Sequence, residues 1–106
     1  MGAQLDRDVQ EGELTIFARF HAREGLQDQV AAAIAEVVPL TRAEPACLGI
    51  EGYRDTKDRR LFFIHSRWID EPAFDIHAGL PHTVKFLASV QPLIDHPLDV
   101  RRAVGL

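Results

Sequence analysis

One cysteine, Cys47, is all that this chain of 106 residues contains, so it can form no internal disulfide, and no Cys-x-x-Cys or Cys/His zinc spacing occurs. That usage fits a reducing cytoplasm. No apolar run approaches the roughly 18 residues of a membrane span. The opening MGAQLDRDVQEGE is acidic and polar where a secretion signal would be basic and then apolar. Residues 1–12 are therefore expected to form a flexible arm ahead of a single domain over 13–106. Glycine-rich phosphate or dinucleotide loops are missing, and no Gly-x-Ser-x-Gly turn surrounds Ser66 or Ser89. Positive charge is scarce and scattered: 12 Lys and Arg face 16 Asp and Glu, for a net charge of -4. Nothing here offers nucleic acid the clustered basic footprint it needs.

What remains is ordinary globular composition, 46% hydrophobic and 26% charged, enough to fold as one small domain. Leu14 to Phe20 reads as a strand whose two faces both start apolar, Leu14 and Ile16 on one and Phe17 on the other. After a break at Glu24-Gly25, apolar residues from Leu26 to Val38 recur every three or four positions, which predicts a helix of about 15 residues with one apolar stripe. Pro39 should kink or end it. Cys47 to Arg54 is a second strand, whose glycines permit close approach of another group. The polar run Asp55 to Arg59 should turn the chain back into a third strand, Leu61 to Trp68. Phe62, Ile64, Ser66 and Trp68 share one face of it, and Leu61, Phe63, His65 and Arg67 the other.

Asp70 followed by Pro72 marks the start of a short helix to about Leu80. Gly79-Leu80-Pro81 re-aims the chain into a further helix through Val84, Leu87, Val90 and Ile94, and Leu98 to Val104 closes as a strand. The order strand, helix, strand, strand, helix, strand is the split βαβ pattern of ferredoxin-like α+β domains. Two helices cover one sheet face in that fold and leave the other open. Since strands one and three are apolar on both faces, a homodimer joined sheet to sheet is expected to cover it.

The stretch from Arg60 to Phe86 concentrates the chemistry. It holds the single tryptophan, three of five histidines and four of six phenylalanines. Polar Ser66, His77 and His82 set among apolar residues make the composition of a small-molecule pocket. His77 and His82 stand five apart with Pro81 between them, not the four that aligns two ligands on one helical face, and no carboxylate or cysteine next to them in sequence completes a set. No metal site is expected there.

Trp68-Ile69-Asp70-Glu71-Pro72-Ala73-Phe74, then His77, Pro81-His82 and Phe86, resemble the signature of the antibiotic biosynthesis monooxygenase domain. Gly25, Glu44-Pro45-Ala46-Cys47 and Tyr53 fit it too, and the resemblance runs from about Glu13 to Leu98. It implies a ferredoxin-like protomer that dimerises through its sheets into an α/β barrel. It implies as activity the oxidation of a small aromatic quinol, phenol or anthrone by O2, without bound metal or flavin. His77 or His82 would then be the base, with Trp68 in the catalytic set. Phe74 and Phe86 would wall the cavity, Tyr53 could donate to a quinol oxygen, and His65 could bind an acidic substrate. Ser66 stands where the family often carries Glu. The chain has no asparagine at all, Ala18 lying about where haem-degrading members place one, and it lacks their second tryptophan, which disfavours haem degradation. Two other readings compete: an isomerase of a small phosphorylated hydroxyketone, and a ligand-binding or purely structural dimer without chemistry. An arginine-lined pocket would favour the isomerase, an apolar closed one the oxygenase, a collapsed one the third.

Overall fold

The computed structural model describes residues 12–106. Of the expected arm, all but residue 12 lies outside them. Four strands, β1 (Leu14–His21), β2 (Cys47–Arg54), β3 (Leu61–Trp68) and β4 (Asp99–Ala103), form one antiparallel sheet in the order β2-β3-β1-β4. Three helices, α1 (Gln27–Arg42), α2 (Glu71–Ala78) and α3 (Pro81–Val90), with a one-turn 3-10 segment Gln91–Leu93, complete a ferredoxin-like α+β fold. The sheet does not close on itself, since β2 and β4 are edges.

Alternation decides which side chains meet the helices. Ala18 and Phe20 from β1, Ala22 just after it, Ile50 from β2, and Phe62 and Ile64 from β3 pack against Val30, Ile34, Val37 and Val38 of α1, with Val90 and Ile94. Close packing here depends on Gly52, where a Cβ would lie 2.7 Å from the Ile34 side chain. That is one of the two strand glycines accounted for by close approach. Gly25, at φ +83°, makes the left-handed turn that carries β1 into α1.

Local signals held at most boundaries. Asp70 caps α2, its Oδ1 accepting from the Ala73 N–H at 2.8 Å. Asp55 Oδ2 accepts from the N–H groups of Lys57 and Asp58 and shapes the β2–β3 turn. Pro39 was expected to kink the last turn of α1 or to end the helix, and the helix does not end there but continues to Arg42. A proline this near the C-terminus removes one helical N–H while the flanking turn stays seated on the sheet through Val38 and Thr41, both buried. The last helix and strand are slightly shorter than their sequence patterns.

Among the described residues no helix covers the second sheet face. Phe17 and Tyr53 are each 53% exposed there, Phe17 lying 5.2 Å from the His65 ring, beside partly buried Leu61 and Phe63. Arg67 on this face is paired within the chain, its guanidinium donating to both Glu13 carboxylate oxygens at 2.6 and 2.9 Å.

Candidate active site

Between the sheet and the helices lies a cavity of about 300 Å³. Its floor follows the strand register: Ile50, Ser66, Ile16 and Arg102 stand in one row across the sheet, with Ile64, Ala18 and Val100 in the next. Its roof is Val37 and Thr41 of α1, Phe74, His77 and Ala78 of α2, and Thr83, Phe86 and Leu87 of α3. Most of these side chains are apolar, so a ligand inside would leave water behind.

Trp68 is completely buried beneath this roof. Its indole N–H donates to Ser66 Oγ at 3.0 Å, which fixes the ring. His77, 9% exposed, lies against that ring at 4.5 Å between centroids and against Phe74 at 5.5 Å. Phe74 and His77 are three apart on α2 and so meet on one face. The residue that sequence reasoning missed is Glu44, in the turn between α1 and β2. One oxygen, Oε2, lies 2.8 Å from His77 Nδ1 and 2.7 Å from His82 Nε2.

The protons follow from that geometry. A carboxylate only accepts, so His77 donates from Nδ1 and His82 from Nε2. Neutral His77 is thereby left with its lone pair on Nε2, and the Thr83 hydroxyl lies 3.2 Å from Nδ1 and 3.5 Å from Nε2. Burial holds the His77 pKa below its ordinary value of 6.5; the Glu44 carboxylate pulls it up and the neighbouring His82 pushes it further down. A buried imidazole, neutral near pH 7 and fixed in one tautomer by a carboxylate, is the arrangement of a general base.

The remaining expected residues separate. Phe74, Phe86 and Ser66 line the cavity with His77. His82 does not line it: its ring faces Glu44 from a smaller cleft of about 90 Å³ between α1 and α3. Trp68 backs His77 without lining the cavity. Tyr53 and His65 are both on the open sheet face, so neither is placed to touch a ligand in this cavity. Alternation along β2 and β3 puts both on the face opposite Ser66 and Ile64. The grounds for expecting no metal also change. Glu44, distant in sequence, supplies the missing carboxylate, and its oxygen and one nitrogen of each histidine lie within 4.8 Å of one another, a donor set that suits first-row cations. The contacts themselves have hydrogen-bond lengths.

A ferredoxin-like sheet with a one-sided apolar cavity and a carboxylate-held histidine defines the class of protein. The profile of the antibiotic biosynthesis monooxygenase family matches residues 14–89, and the chain belongs to that family. It is 28% identical over 87 residues to Rv0793 of Mycobacterium tuberculosis, which carries a provisional name as a monooxygenase, covering 82% of this chain and 85% of that protein. The solved structure of Rv0793 superposes with a TM-score of 0.84 at 26% identity, over 89% of this chain and 95% of that one. Another, described as an antibiotic biosynthesis monooxygenase, gives 0.83 at 26% identity over 88% and 98%. SO0527 of Shewanella oneidensis, at 24% identity and a TM-score of 0.84 over 90% and 92%, shows the same fold. Among the described residues no helix is long and apolar enough to cross a membrane.

Proposed function

We propose that the chain is a cofactor-independent monooxygenase that oxidises a small aromatic quinol, phenol or anthrone with O2. One observation carries the reading: a buried imidazole, kept neutral by its burial and held in one tautomer by Glu44, lines an apolar cavity. His77 Nε2 takes the phenolic proton, and Glu44 stabilises the imidazolium that forms. The anion, held away from water, passes one electron to O2, and the two radicals join as a peroxide. Imidazolium returns the proton to that peroxide. Loss of water then leaves a carbonyl, so that CH2 and O2 become C=O and H2O. Trp68 and Phe74 fix the plane of His77, and Phe74 and Phe86 wall the substrate.

The competing readings meet specific obstacles. A phosphorylated hydroxyketone needs a free cation, and Arg102, the one cationic residue among the described residues lining the cavity, already pairs with Glu71 at 2.9 Å and Asp75 at 2.8 Å. A purely structural dimer has no use for an open cavity of this size. The reading includes a homodimer through the open sheet face, supported by the exposed Phe17 and Tyr53 there. Replacing Phe17→Asp should give monomers by sedimentation velocity.

The test is O2 uptake with reduced naphthoquinols and anthrones, with chelator and separately with added Zn2+, after subtraction of autoxidation. Uptake above background that is insensitive to chelator and lost in His77→Ala supports the reading. Uptake equal to background for every substrate overturns it.

A further inference from the structure

The cluster that holds His77 also has the donors of a cation site. Glu44 Oε2, His77 Nδ1 and His82 Nε2 lie within 4.8 Å of one another, the one group of three such donors among the described residues. Separate elements deliver them: the turn after α1, helix α2, and the first turn of α3. Their contacts of 2.8 and 2.7 Å close on protons. Around Zn2+, with bonds of about 2.0–2.2 Å, tetrahedral donors stand about 3.3 Å apart, so each histidine has to back away from the oxygen by roughly half an ångström. His82 has room for that, since its side chain is 22% exposed and lines the cleft between α1 and α3. Lys85, the cation on that cleft, is already paired with Glu36 at 3.1 Å. His77 lines the main cavity, so the cluster stands between two openings.

We infer that Glu44, His77 and His82 form a binding site for Zn2+ or a similar first-row cation, and that its occupation takes the base out of service. A neutral imidazole carries one proton and one lone pair. An ion on Nδ1 of His77 claims the lone pair of that atom, so the proton now shared with Glu44 passes to Nε2. His82 likewise passes its Nε2 proton to Nδ1. Both rings stay neutral, no proton is released and no electron moves. Three protein ligands leave the fourth position of the ion to water. With Nε2 protonated, His77 can no longer accept from a phenol. The site stands on its own geometry, whereas the loss of the base rests on the proposed function.

Chelator-treated protein is titrated with Zn2+ against a chromophoric indicator, as wild type, His82→Ala, Glu44→Gln and His65→Ala, and the His77 tautomer is read from imidazole nitrogen NMR. His82→Gln, which keeps more of the side chain, stands in if the alanine variant does not melt cooperatively. One Zn2+ should bind per chain, at least about tenfold more weakly in His82→Ala and Glu44→Gln and unchanged in His65→Ala. Mg2+ should not compete, because two of the three donors are nitrogen. Zn2+ should raise the melting temperature of wild type and not of His82→Ala. At saturation the His77 proton should move from Nδ1 to Nε2. Wild-type O2 uptake should then fall to the level of His77→Ala, while His82→Ala keeps its own zinc-free rate. No saturable binding, binding equally strong in every variant, a proton that stays on Nδ1, or uptake that Zn2+ leaves unchanged or raises would overturn the inference. If the zinc-free protein takes up no O2 with any substrate, the proposed function falls, and the titration and the tautomer decide the site by themselves.

Discussion

Two clusters in this molecule are made of the same parts and do different things. Glu44, His77 and His82 sit against Trp68 and Phe74 at the cavity. Asp58, His21 and Asp95 sit at the far end of β1, where His21 Nε2 meets Asp58 at 3.0 Å and Nδ1 meets Asp95 at 2.8 Å. There Arg60 donates to Asp95 and to the Ala22 carbonyl, and the His21 N–H donates to His96 Nε2. In that second cluster both ring nitrogens are taken up by carboxylates, so neither is left to face a ligand; it ties the β2–β3 turn and the segment before β4 to the end of β1. In the first, one carboxylate serves two imidazoles, and His77 keeps one nitrogen that faces no carboxylate, with only the Thr83 hydroxyl 3.5 Å away. On the proposed function, burial and stoichiometry, more than residue type, separate a base from a brace.

The comparison is broken most directly at His77. Its replacement by Ala should lower O2 uptake at least a hundredfold, the usual contribution of a positioned base, while His21→Ala should leave uptake near wild type and lower the melting temperature. Next comes Glu44→Gln, expected to cost roughly tenfold, because the tautomer and the stabilising charge both weaken. Since Glu44 raises the His77 pKa against the effect of burial, this variant should also move the acid limb of the pH–rate profile to lower pH. A limb that stays in place or moves upward would contradict the pairing.

Ser66→Ala leaves the completely buried Trp68 N–H without its acceptor. Stability in urea should fall by about 1–3 kcal/mol, with the loss confined to the cavity side of the molecule. The smallest effects distinguish the clusters by pH. Folding keeps His77 below its ordinary 6.5, so the unfolded chain binds that proton more readily, and stability is full above pH 6.5 and declines as pH falls through the folded pKa. Asp58 and Asp95 are held below their ordinary 3.8 by the Arg60 backbone N–H and by His21 respectively, so their contribution is full above pH 3.8 and fades only beneath it. Urea midpoints from pH 8 to 3 should show two declines. His77→Gln should flatten only the one nearer neutrality, Asp58→Asn only the acid one.

The sequence by itself determined the strands, the helix periodicity, the β2–β3 turn and the Asp70 cap, because each depends on residues within a few positions of one another. Alternation even separated His65 from Ser66 and Trp68 on β3. Which face the helices cover was a different matter: Leu14, Ile16 and Phe17 make both faces of β1 start apolar, and only packing showed that Tyr53 and His65 lie away from the cavity while Ser66 and Phe74 line it. Glu44 fitted the family signature, but no local pattern ties it to His77 and His82, 33 and 38 positions away. Nor can any pattern show that the hydroxyl of Thr41, buried in α1, has no hydrogen-bond partner among the described residues. Such facts belong to the tertiary structure because they depend on which groups chain closure brings within hydrogen-bond distance and which it leaves unmatched after water has been removed.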